Sequence, residues 1–198
     1  VAGLKRISAT ARVLAMADDT DKASAQQSLA EAAKTFTITK TNGKFVIHCG
    51  HGQAHGTSTS DTSGCEMLDI KVPAGTDTQP VDITTRLGNG TLTVSNMTVN
   101  NAKIEGDGDV SAKLSFVKGA VINVTSTKSD KADLAIPAAS TADAVSVVGS
   151  KESKSAFDSV VANAGATPIG TTGTGAKSIT VESKEFAGSP GVATLTKF

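Results

Sequence analysis

Residues 91–125 read TLTVSNMTVNNAKIEGDGDVSAKLSFVKGAVINVT, and how this stretch pairs with its neighbours decides the fold. Apolar and polar residues alternate in short runs, and the runs are separated by Gly, Asn, Asp or Lys corners. Alternation with period two puts one face on a core and the other in water, the signature of half-buried strands. Outward from this stretch, the same pattern predicts strands at 67–72, 81–86, 91–94, 103–105, 110–116, 120–125, 132–136 and 144–148. Corners fall at Gly88-Asn89-Gly90, Gly106-Asp107-Gly108, Lys118-Gly119 and Ser129-Asp130-Lys131.

Taken alternately, these strands make two registers, one through Ile70, Leu92, Ala112 and Leu134, the other through Ile83, Ile104, Ile122 and Val145. A repeat of roughly 20 residues with two strands per turn suits a parallel β-solenoid, in which each coil buries its apolar face against the next. An antiparallel β-sandwich also places short strands at about this spacing, so spacing alone leaves both open.

Toward the N-terminus, Ile7, Ala9, Ala11, Val13 and Ala15 alternate with Arg6, Ser8, Thr10 and Arg12, which predicts a strand over 5–16. Asp18-Asp19-Thr20-Asp21 supplies N-cap oxygens for a helix over 21–34 with Ala25, Leu29, Ala32 and Ala33 on its apolar stripe. Residues 35–41 and 44–49 flank Asn42-Gly43, a strong hairpin signal. The opening therefore reads β-α-β-β. Toward the C-terminus, Ala156, Phe157, Val160, Val161 and Ala164 share a helical face, so a short helix is expected over 153–164. Residues 165–175 read as Gly/Thr loop and 177–183 as a late strand. The tail after Gly188 is expected to be loosely held.

The 198 residues carry 19 basic and 19 acidic side chains, 19 Gly and six Phe, with no Trp or Tyr. A neutral chain lacks the basic footprint that nucleic acid or anionic lipid requires. The missing Trp and Tyr tell against base stacking and against aromatic-lined pockets. No apolar run approaches the ~18 residues of a membrane-spanning helix. The chain opens at Val1 without Met and without a visible signal peptide, which leaves open whether a leader or anchor preceded it. Cys49 and Cys65 read as one disulfide formed in an oxidising compartment, with two unpaired buried thiols as the alternative.

All three histidines lie in VIHCGHGQAHG (46–56). His48, His51 and His55 are the candidate metal ligands, for Zn or Cu, because neutral imidazole binds both and Cys49 or Asp61 would complete the set. Against that, Gly50, Gly52 and Gly56 give the segment little rigidity, and a solvated loop tied by the disulfide is the plainer reading. Glu105, Asp107 and Asp109 offer oxygens for Ca²⁺ but without the spacing of a calcium loop, so a chain corner is expected there. No G-x-S-x-G elbow or other catalytic constellation is visible. Thr-x-Thr pairs at 35/37/39, 57/59 and 91/93 raise an ice-binding ladder, but they do not recur at each coil.

The alternating strand ISATARVLAMADD, the Ala-rich helix, a hairpin ending in Cys, a second Cys, LDIKVPAG and the Gly-cornered strands together resemble a bacterial adhesin-like family. Its members are secreted or envelope-anchored, with a C-terminal right-handed β-solenoid. The resemblance covers about residues 5–150 and brings no catalytic residues or cofactor with it. The His/Gly/Thr loop between the cysteines and the segment near Phe157 depart from it. It implies a mainly β protein, with residues 1–66 as the N-terminal segment and 67–198 as the solenoid of one continuous domain. It also implies a non-catalytic surface or envelope role with a protein or cell-surface partner, the alternative being a metal-binding module. Oligomeric state is not set by the sequence.

Overall fold

A computed structural model describes residues 7–16, 22–41, 44–50, 62–88, 90–128, 131–157, 175–188 and 190–198. The chain is mainly β, with twelve strands and one helix among the described residues. It divides into two compact units, Leu4–Val72 and Pro73–Phe198.

In the first unit, β1 (Ser8–Met16), α1 (Lys22–Lys34), β2 (Thr37–Thr41), β3 (Lys44–His48) and β4 (Thr62–Lys71) follow in order. The expected β-α-β-β opening is present. β1 pairs antiparallel with β4, and β2 with β3. Ile7, Ala9, Ala11 and Val13 are half-buried while Ser8, Thr10 and Arg12 are exposed, as the alternation predicts. The helix face differs from the expected stripe: Ser28 and Ala32 are buried, whereas Leu29 is 43% exposed and Ala33 is also outside. Small side chains at 28 and 32 allow close approach of backbones, which Leu29 would obstruct. Residues 67–72 also depart from expectation. Ile70 lies in β4 opposite Ala9, in an antiparallel ribbon, and does not open the repeat.

The second unit contains β5 (Val81–Leu87), β6 (Leu92–Gly106), β7 (Val110–Ser126), β8 (Lys131–Ile136), β9 (Val145–Gly149), β10 (Glu152–Ser155), β11 (Ser178–Ser183) and β12 (Val192–Lys197). These form one eight-stranded sheet in which every pair is parallel. An antiparallel sandwich is not what these residues build. β6 and β7 are long and bent, and each takes part in two stacks. One stack runs through the first halves of β6 and β7, then β8, β12 and β10; the other runs through β5, the second halves of β6 and β7, then β11 and β9.

Along the second stack, Ile83, Ala102, Ile122, Ile179 and Val145 lie in line, and beside them Thr85, Ile104, Val124, Val181 and Val147. Ile104, Ile122, Val124, Ile179 and Val181 have no exposed surface. Each such side chain stabilises by roughly 1.5–3 kcal/mol relative to leaving it in water. In the first stack Val94, Ala112, Leu134 and Leu195 form the matching line. Ser95 and Met97 flank a register shift at Asn96, whose φ of 58° Asn tolerates better than most residues. Gly119, at φ 80°, bends β7 between its halves where the Lys118-Gly119 corner was expected.

Two expectations near the C-terminus are corrected. Ser153–Ser155, the start of the expected 153–164 helix, are strand β10, which pairs with Val192–Leu195; residues 158–164 lie outside the described residues. A slot for one more parallel strand outweighs a local helical pattern. The tail after Gly188 is not loose: β12 pairs with both β8 and β10, and Ala193 and Leu195 are buried.

One corner gives a direct test. A Cβ on Gly108 would collide with the Gly90 carbonyl oxygen, whereas one on Gly88 meets nothing within 4 Å. Thermal melts should show Gly108→Ala destabilised by ~1–3 kcal/mol and Gly88→Ala unchanged within ~0.5 kcal/mol. Equal melting temperatures would place the corner elsewhere.

Candidate functional site

The only histidine among the described residues is His48; His51 and His55, and with them Asp61, lie outside these residues. His48 ends β3, exposed, with Nδ1 3.0 Å from the Thr35 carbonyl oxygen. A carbonyl only accepts, so Nδ1 is the donor in this contact, which in the neutral ring leaves Nε2 as the acceptor nitrogen. The Thr35 hydroxyl donates to the Ala32 carbonyl at 2.7 Å and lies 3.2 Å from the Gly50 amide nitrogen, tying the helix end to the end of the hairpin. Cys49 is bonded to Cys65, with Cα atoms 5.7 Å apart, and the Cys65 amide donates to the Gly50 carbonyl. The disulfide therefore closes the base of the inter-cysteine loop and removes Cys49 from any ligand set. Among the described residues no group of three or more His, Cys, Asp or Glu is placed to hold a metal ion.

Glu105, Asp107 and Asp109 do not converge on a point. Glu105 pairs with Lys103 at 3.1 Å, Asp107 with Lys128 at 2.9 Å, and Asp109 accepts the Lys131 amide at 3.0 Å. Glu105 is held by Lys103 of its own strand, and Asp107 and Asp109 by the neighbouring pass of chain, so this is a corner, as expected. The Lys128 ammonium, then the Thr127 hydroxyl at 2.7 Å, hold the Asp107 carboxyl below its ordinary value. Because the folded value is depressed, the contribution is complete above the unfolded carboxylate range and disappears as pH falls through the folded value. Asp107→Asn should therefore flatten the acid side of a urea-midpoint-against-pH curve. An unchanged curve would remove Asp107 from the acid response.

The outward positions form long polar rows. Thr84, Lys103, Asn123, Thr180 and Ser146 make one; Arg86, Glu105, Thr125 and Glu182 make another, in which Thr125 is buried and which ends on Val148. Thr is mixed with Lys, Asn and acids in these rows, so no repeating Thr ladder crosses the sheet; Thr57 and Thr59 lie outside the described residues. On the first stack, Ser111, Lys113, Asp133, Leu134, Thr194 and Thr196 line an open depression of ≈ 400 Å³. Lys113 Nζ sits 4.4 Å from the ring centre of Phe198, which is 51% exposed. Sequence reasoning missed this surface because it assigned no strand to 192–197, although Ala193 and Leu195 alternate there with Val192 and Thr194. No helix among the described residues is long and apolar enough to cross a membrane.

Comparison with known families, curated proteins and solved structures finds nothing that matches this chain.

Proposed function

We propose that this chain is a non-catalytic surface or envelope protein of adhesin type, a right-handed β-solenoid scaffold that acts by contact. The observation that carries this reading is the division of labour in the parallel sheet. Inward residues are spent on a continuous apolar core, and outward ones form broad rows of Ser, Thr, Asn and paired charges. Such rows suit a polar contact surface more than an enclosed reaction site. The disulfide supports a secreted or envelope location. The partner is a protein or cell surface that meets the face around Lys113, Asp133 and Thr194. Purified protein should bind isolated cell envelopes, and Lys113→Glu with Thr194→Arg should weaken binding at least tenfold while melting normally. A hydrolase or lyase screen giving turnover that depends on His48, His51 or His55 overturns the reading. A crystal structure in which successive strands do not wind as coils overturns the solenoid, and left-handed coils overturn its handedness.

The Nδ1–H donation from His48 favours a second reading, a Zn or Cu site in the inter-cysteine loop, since a ring fixed in this way offers Nε2 outward as a ligand. Calorimetry should then show one tight equivalent of Zn²⁺ or Cu²⁺, lost in His48→Ala and His51→Ala. No heat with either ion removes it.

A further inference from the structure

The order of strands differs from the order of the chain at one place. β8 leads on to β9 and β10, yet β9 and β10 do not pair with β7 or β8. Between them stand β11 and β12, which come later in the sequence: β11 joins the second half of β7 to β9, and β12 joins β8 to β10. The chain leaves a gap one strand wide in each stack and fills both gaps with its C-terminal segment.

That segment is held on both sides by backbone ladders, and its core residues Ile179, Val181, Ala193 and Leu195 are at most 1% exposed. Around the slot, the Lys177 amide donates to the Ala120 carbonyl, the Asp143 amide to the Ala176 carbonyl, and the Lys151 amide to the Gly191 carbonyl. None of these contacts requires the segment and the slot to belong to one molecule. Without the segment, β7 and β8 on one side and β9 and β10 on the other present unpaired edges, which take up any matching strand. Residues 156–177 join β10 to β11, and a chain of that length spans on the order of 70 Å when extended.

We propose that residues 176–198 form a transferable strand pair, and that the slot accepts the same pair from a second copy of this chain. The contacts in the exchanged assembly repeat those of the closed monomer, so protein concentration decides between them. This inference rests on the observed strand order and not on the adhesin reading. It gives a surface protein a way to link to its own kind.

The test uses the full chain. Thr180 in β11 and Asn123 in β7 are register partners on the outward face. Protein refolded at high concentration should contain dimers or longer species by size-exclusion chromatography with light scattering. When Thr180→Cys and Asn123→Cys variants are refolded together and oxidised, disulfide-linked hetero-dimers should form between them. Putting both substitutions in one chain and oxidising it as a dilute monomer should then abolish the dimer on concentration. Monomer alone across the concentration series overturns the proposal. So does a dimer that links only like variants, since that reports faces touching without strand exchange.

Discussion

Val181→Asp is expected to abolish cooperative folding of the Pro73–Phe198 unit, whereas Thr180→Asp, one residue away, leaves it folded. Val181 has no exposed surface and lies in line between Val124 and Val147. A carboxylate there must either lose its hydration without a partner or take up a proton, and either route costs about 4 kcal/mol or more. That is a large part of the ~5–15 kcal/mol a domain of this kind has in total. The loss does not stay local, because β11 is the contact between β7 and β9. With β11 displaced, β9 loses its partner strand in the sheet. Thr180 faces outward beside Asn123 and Ser146, so Asp there changes strand propensity alone, within about 1 kcal/mol. Circular-dichroism melts and limited proteolysis of both variants make the comparison. If Val181→Asp melts as the wild type does, the interior placement of β11 is wrong.

Much of the sheet was legible because its local code is simple. Gly and Asn corners punctuate alternating runs, and Ala112 does stand beside Leu134 as the register predicts. Registers that cross β6 were displaced by two residues: Leu92 pairs with Val110, and Ile104 with Val124. The pairing offset itself changes along β6, between Ser95 and Met97 and again between Val99 and Asn101, so no single repeat length fits both of its halves. Because the slip is two and not one, every side chain keeps its face.

The place of Ile179 between Ile122 and Val145 was not legible at all. Parallel strands of one apolar pattern fit many slots equally well, and only the connection lengths and the closing of the last gap choose among them. The same limit applies to the candidate site. The Cys49–Cys65 bond followed from composition, but the depression beside Phe198 needs β7, β8 and β12 together, strands that are distant in sequence. The Thr35 carbonyl that fixes the tautomer of His48 likewise comes from outside the histidine motif.

Reduction of the disulfide, or Cys65→Ser, is expected to destabilise the Leu4–Val72 unit by about 3 kcal/mol, the chain-entropy value for a loop of this size. The bond spans a sequence separation of 16. What makes the effect decisive is how little else holds that unit. Among its residues whose side-chain burial is described, Ser28 and Ala32 alone are buried, while Leu14, Ile38, Phe45, Val46 and Met67 are each at least 43% exposed. A unit of this size with so thin a core depends on a covalent staple. The Pro73–Phe198 unit contains no cysteine and carries its own continuous core, so its transition should not move. Scanning calorimetry with and without reductant should therefore show the lower transition fall or vanish and the upper one persist. A lower transition that stays in place after reduction would mean that the hairpin and helix are held by contacts other than this bond.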